Sequence, residues 1–191
     1  MTAEKISTKQ KIADSAKNLF STHGFCQTSL DDIITAAGIT KGAFYHYFKS
    51  KEAICQEIID SVQIEYHSLF EALPKNQNPL EQLKAIIAKI VELNNSGQWV
   101  NCELMFRLGC QMQTLQTPLK QKIESFWKWL FNSYLSLITQ CRELKLISDK
   151  LSAEQQAKLI IDLLTAATWR KTVFDDSIDA EIIDYVINNL K

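Results

Sequence analysis

Glycine and proline are scarce, at five and three in 191 residues. So few chain breakers exclude a turn-rich β architecture and point to long helices. Histidine occurs only at 23, 46 and 67, in none of the spacings that grip a catalytic metal. The five cysteines, at 26, 55, 102, 110 and 141, are odd in number and contain no close CxxC pair, which argues against a disulfide framework and against a thiolate zinc site. No segment supplies the ~20 uninterrupted apolar residues of a membrane span. The amino end, MTAEKISTKQK, is charged and lacks the apolar core of a leader, so a cytoplasmic protein is expected. Gly-rich phosphate loops, GxSxG elbows and repeat periods are missing too. Neither catalysis nor a cofactor or metal is expected. Net charge is −1, so no broad basic field attracts nucleic acid. The charge is uneven, however: residues 1 to 52 hold seven lysines and five acids, a balance of +2.

What is present is concentrated between Thr28 and Lys51, TSLDDIITAAGITKGAFYHYFKSK. Thr28 with Asp31 reads as an N-cap and its N3 carboxylate. Leu30, Ile33, Ile34 and Ala37 then recur at helical spacing. Gly38 ends that helix, because the chain reverses there and only glycine turns left-handed without penalty. Ile39 plugs the turn and Thr40 caps a second helix. In it Ala43, Phe44, Tyr47 and Phe48 face the apolar centre, while Lys41, Gly42, Tyr45 and His46 are left outside. The outer face is polar and thin, which suits a helix start pressed against a groove floor and its phosphates. These are the parts of a helix-turn-helix.

The run AAGITKGAFYHYFKSKEA resembles the DNA-binding signature of the TetR family of repressors, specifically over the first fifty to sixty residues and only in architecture beyond them. The resemblance implies base-edge contacts from Lys41, Gly42, Ala43 and Tyr45, and phosphate contacts from Thr28, Thr40, His46, Tyr47 and Lys51. Tyr47 carries two readings, core or phosphate, since its ring and hydroxyl serve either. The implied fold is all-α with about nine helices: residues 1–50 form the helix-turn-helix domain, and residues 51–191 a helical effector-binding and dimerisation domain.

Periodicity fills in the rest. A first helix runs from Ser7 or Thr8 to His23 on a stripe of Ile12, Ala16, Leu19 and Phe20, and Cys26 just beyond reads as a small buried hydrophobe. Ser50 caps a fourth helix that Pro74 stops. Asn78 and Pro79 open a fifth. A sixth spans 99 to 115, a seventh runs from Thr117 to Lys145, and Ser152 with Gln155 makes a capping box for an eighth that reaches Lys171. Asp179 begins the last, which includes Leu190.

A single head of this size binds weakly, so affinity requires two half-sites read by a symmetric dimer. The family layout implies that the last two helices form the dimer interface, through Leu159, Ile160, Leu163, Leu164, Ala167, Ile183, Val186 and Ile187. It also implies an effector cavity, for which Trp99, Cys102, Met105, Phe106, Cys110, Trp127, Phe131 and Tyr134 are the candidate lining. Such a lining suits a small hydrophobic or electrophilic molecule, and Arg107 lies near Cys102 and Cys110 in sequence, where it favours a thiolate. The same side chains read equally as filled core. The expected partners are a palindromic double-stranded operator, a second copy of the chain and a small-molecule effector. The alternative is an architectural or partner-regulated DNA-binding dimer without an effector.

Overall fold

In a computed structural model the chain is described over residues 7–97, 99–114 and 117–189, apart from the side chains of Met112, Thr117 and Ala180. Leu190 and the capping role of the Thr117 side chain therefore lie outside the description. Among the described residues there are nine α-helices and no strand: α1 (Thr8–His23), α2 (Leu30–Ala37), α3 (Lys41–Tyr47), α4 (Lys51–Glu71), α5 (Pro79–Asn95), α6 (Asn101–Cys110), α7 (Thr117–Glu143), α8 (Ala153–Phe174) and α9 (Ala180–Asn188). The expected sixth helix is shorter than its apolar pattern. It stops at Cys110, and a 3-10 turn follows at Met112–Thr114.

Helix starts follow the capping chemistry. The side chains of Ser7, Thr40, Asn78, Ser152 and Asp179 each accept a backbone N–H of the first turn. Ser50 does the same for α4, accepting from Ala53 N at 3.1 Å. One cap departs from the sequence reading. Ser29, not Thr28, caps α2: its hydroxyl accepts from Asp32 N at 3.1 Å while Asp32 accepts from Ser29 N at 2.8 Å. Those bonds hold the exposed Asp32 carboxyl below its usual pKa. Gly38 takes the left-handed conformation at φ +62°, so the turn between α2 and α3 closes as its glycine requires.

The chain divides into two compact units, each with its own core. The first contains residues up to 63 together with 103–123, and so takes in more than the expected head of residues 1–50. Ile12, Ala16 and Phe20 of α1 share its interior with Ile33, Phe44 and Phe48. Ile54, Ile58 and Ile59 of α4 and Leu104 and Leu108 of α6 complete it. The second unit contains residues 64–102 and 124–191. Its core is the stripe Leu83, Ile86, Ile87 and Ile90 of α5, with Phe126, Tyr134 and Ile138 of α7 and Ile160 of α8. There α9 packs on α5 and buries Ile183 and Ile187. Asn95 fixes the approach, accepting from Ile178 N at 2.8 Å and donating to Ile178 O at 2.9 Å.

Candidate nucleic-acid interface

The head is built by two buried phenylalanines. Phe44 and Phe48 are 0% and 3% exposed, and on so short a helix this sends the residues between them outward. Lys41, Gly42, Tyr45 and His46 are all exposed, as the sequence predicts. Tyr45 stands edge-on to Phe44 with ring centroids 5.6 Å apart, so its root is held while half its surface faces solvent. Tyr47 is 41% exposed, which places it with the outward set rather than in the core, and its ring meets His46 edge-on at 4.8 Å. Ala43 is half-buried, and Thr40 is exposed with its hydroxyl oxygen on Ala43 N at 3.2 Å.

Gly42 is informative because nothing inside the protein demands it. A Cβ there meets only Thr40 Oγ1, at an ordinary 3.9 Å. A glycine inside a helix costs roughly 0.5–1 kcal/mol relative to alanine. No contact within the protein calls for glycine at this position.

Two of the side chains expected on phosphate are engaged within the protein. Thr28 is 1% exposed and its hydroxyl donates to Gly24 O at 2.8 Å, so its side chain is part of the α1–α2 turn. Lys51 turns inward: its ammonium donates to Phe25 O and Thr28 O, both at 2.7 Å, and lies 4.2 Å from the Phe25 ring centroid. A cation held by two carbonyls and a ring face is committed to the fold. The same turn is gripped from its other side by Gln111, whose carboxamide oxygen accepts from Phe25 N at 2.9 Å and Cys26 N at 3.3 Å. The sequence carries no signal for Gln111, since the contact spans 86 residues. Cys26, expected to be buried, is exposed, with its sulfur 3.2 Å from Thr114 Oγ1.

The expected effector lining divides between the units. Met105, Phe106 and Cys110 belong to the first, where Met105 is buried, Phe106 half-buried and Cys110 exposed on the surface rather than lining an interior. Trp99, Cys102, Trp127, Phe131 and Tyr134 belong to the second. Trp99 Nε1 donates to Glu65 at 2.8 Å, Cys102 meets the Tyr66 hydroxyl at 3.2 Å, and Tyr134 is fully buried. Trp127 and Phe131 are half-buried along α7. An open groove of about 830 Å³ in this unit has none of these residues on its walls: Phe70, Trp129, Ser133 and Leu137 line it, with Lys75 and Gln82.

The expected interface residues are also divided. Ile160, Ile183 and Ile187 are 1–3% exposed and belong to the core of the subunit. Leu163, Leu164, Ala167 and Val186 are half-buried and Leu159 is 39% exposed. The strongly exposed apolar side chains of α8 and α9 are others: Trp169, Val173, Phe174, Ile182 and Tyr185, from 48% to 69%. A cleft of about 190 Å³ lies between these helices, walled by Leu163, Ala167, Ile182 and Ile183.

A capped α2, a glycine turn and a short α3 with its polar face outward define a helix-turn-helix protein of the DNA-binding class. Residues 12–58 match the family model for bacterial regulatory proteins of the tetR family, so the chain carries an amino-terminal domain of that kind. The HTH-type transcriptional regulator AcrR of Shigella flexneri is 37% identical over 92 residues, which cover 44% of this chain and 40% of that protein. The chain thus spans well under half the length of that curated relative. The fold extends further than the sequence likeness. A regulatory protein TetR from Rhodobacter sphaeroides superposes with a TM-score of 0.83 over 95% of this chain and 97% of its own, at 16% identity. AibR, solved in complex with isovaleryl coenzyme A and operator DNA, does so at 0.79 over 96% and 98%, at 19% identity.

Proposed function

We propose that the protein is a homodimeric transcriptional repressor that binds a palindromic operator and is released from it by a small molecule. The exposed face of α3 carries this reading. Lys41, Gly42, Ala43 and Tyr45 meet base edges, Thr40, His46 and Tyr47 meet phosphates, and Gly42 admits the backbone to close range. The family's regulators support the class of activity. Palindromic DNA selected from a random pool by the purified chain, then titrated over a salt series, tests it. Tyr45→Ala should lose about 1–3 kcal/mol of discrimination between the selected site and random DNA while binding random DNA nearly as before. Equal losses on both would remove Tyr45 from base reading.

Dimerisation uses the exposed strip of Leu159, Trp169, Val173, Phe174, Ile182 and Tyr185. An apolar set of this size on two adjacent helices is what a symmetric partner covers. Release follows from differential affinity: an effector that prefers the DNA-free arrangement lowers operator affinity by about 1–3 kcal/mol of coupling. AibR, with isovaleryl coenzyme A and operator DNA in one crystal structure, is a precedent among proteins of this fold. Operator binding measured with and without candidate small molecules tests the release, and a complete lack of response to any compound that binds would refute it.

A further inference from the structure

The backbone of the α1–α2 turn is gripped by a residue far along the chain. Gln111 directly follows α6, and its own N–H still bonds to Arg107 O at 3.1 Å. Thr114 then folds back on it, donating to Gln111 O from its backbone N–H at 2.9 Å and its hydroxyl at 2.8 Å, which closes the 3-10 turn. Fixed in this way, the Gln111 side chain takes two consecutive N–H groups on one carboxamide oxygen, Phe25 N at 2.9 Å and Cys26 N at 3.3 Å. Its nitrogen lies over Gly24, where a Cβ would stand 2.3 Å away, so the glycine gives the amide its room. Cys26 Sγ rests 3.2 Å from the Thr114 hydroxyl. All of these residues belong to the first unit.

What the turn controls follows from its other bonds. The Thr28 hydroxyl donates to Gly24 O at 2.8 Å, and the Lys51 ammonium to Phe25 O and Thr28 O at 2.7 Å, immediately before the cap of α2. The Phe25 ring is 7% exposed and meets Phe20 of α1 with centroids 5.4 Å apart. The carbonyls of the turn are thus taken by Thr28 and Lys51, and two of its amides by Gln111. A backbone N–H deprived of its acceptor turns to other partners. Without Gln111 the turn therefore samples arrangements that displace α2 and, beyond Gly38, α3. Base reading tolerates little displacement because it needs a fixed register, whereas attraction to phosphates is indifferent to it. We propose that Gln111 is a positioning residue for operator recognition, acting through the turn to set the fraction of heads whose α3 is aligned to read bases. Apparent operator affinity scales with that fraction. The inference deepens the DNA-binding reading above and rests on it.

Three variants of the full chain test it. Gln111→Met keeps the side-chain length and removes the acceptor, and Gln111→Glu keeps an oxygen for both N–H groups. Gln113→Met alters an exposed neighbour on the same 3-10 turn. Operator and random DNA are titrated over a salt series well below the lowest melting temperature, and amide hydrogen exchange is followed over residues 24–47, with α5 as internal reference. Gln111→Met weakens binding to the selected palindrome about tenfold, equivalent to 1.4 kcal/mol. Random-DNA affinity and the salt slope stay nearly as they were, and exchange across residues 24–47 speeds up. Gln111→Glu restores both operator affinity and slow exchange, and Gln113→Met matches wild type. A lower melting temperature for Gln111→Met with operator affinity and exchange intact would make Gln111 a structural part only and overturn the proposal. Equal losses on operator and random DNA, no restoration by Gln111→Glu, or a loss of the same size in Gln113→Met would overturn it as well. The two readings fail differently. A wild type that selects no DNA sinks the repressor reading and this one with it. A wild type that reads its palindrome while Gln111→Met reads it equally well sinks this inference alone.

Discussion

Replacing Lys51 by methionine separates a fold-holding cation from a DNA-binding one. The ammonium donates to Phe25 O and Thr28 O at 2.7 Å and sits 4.2 Å from the Phe25 ring. Each charge-assisted hydrogen bond contributes about 1.5–3 kcal/mol, and the ring contact about 0.5–1 kcal/mol. Relief from desolvating a half-buried ammonium offsets part of this, leaving a net loss of about 2–4 kcal/mol. For a chain of this length each kcal/mol lowers the melting temperature by about 2–4 °C, so a drop of about 5–15 °C is expected. Operator titrations well below that temperature supply the second axis. A lysine on phosphate contributes roughly 0.9 to the slope of log affinity against log salt, and a dimer would lose two such contributions. The inward-turned Lys51 leaves the slope as it was. An unchanged melting temperature with a shallower slope would show that Lys51 swings out to phosphate on DNA and would refute the reasoning.

Gly42→Ala should move two measurements in opposite directions: the helix gains up to about 1 kcal/mol and melts higher, while operator affinity falls because the new methyl stands between backbone and groove. A gain or no change in operator affinity would contradict the close approach. The Asp32 carboxyl, depressed by Ser29, stabilises the α2 cap above its unfolded pKa near 3.8 and ceases to do so as pH falls through its lower folded value. Asp32→Asn should therefore be less stable than wild type at neutral pH and equal to it in strong acid, as followed by thermal melts across that range. Tyr185→Asp puts a charge on a side chain 69% exposed in the isolated subunit. Sedimentation should show it shifting dimer to monomer while the fold is retained, and an unaltered dimer would place the interface elsewhere.

Much of the fold was legible because local chemistry decided it. Seven of the helix starts are set by a capping side chain within three residues, and Gly38 ends α2 for a reason confined to its own backbone. The α2 cap shows where such reasoning stops. Thr28 with Asp31 and Ser29 with Asp32 are equivalent caps by sequence, and the choice falls to Ser29 because Gly24 O claims the Thr28 hydroxyl. Lys51 likewise reads as a surface cation until the Phe25 and Thr28 carbonyls are placed beside it. On α8 the apolar residues run around more than one face, so periodicity did not say that Ile160 turns into its own subunit while Trp169 faces out. Gln111 and the Trp99–Glu65 pair are long-range polar contacts, and no periodicity encodes these.

The bend between α1 and α2 has a consequence for anyone recombining these regulators. Both backbone groups of Phe25 are taken up by residues from outside residues 1–50, the amide by Gln111 and the carbonyl by Lys51. A head grafted onto a foreign body as residues 1–50 alone would leave those groups stranded and the recognition helix poorly seated. The piece that travels intact runs to residue 63 and carries 103–123 with it.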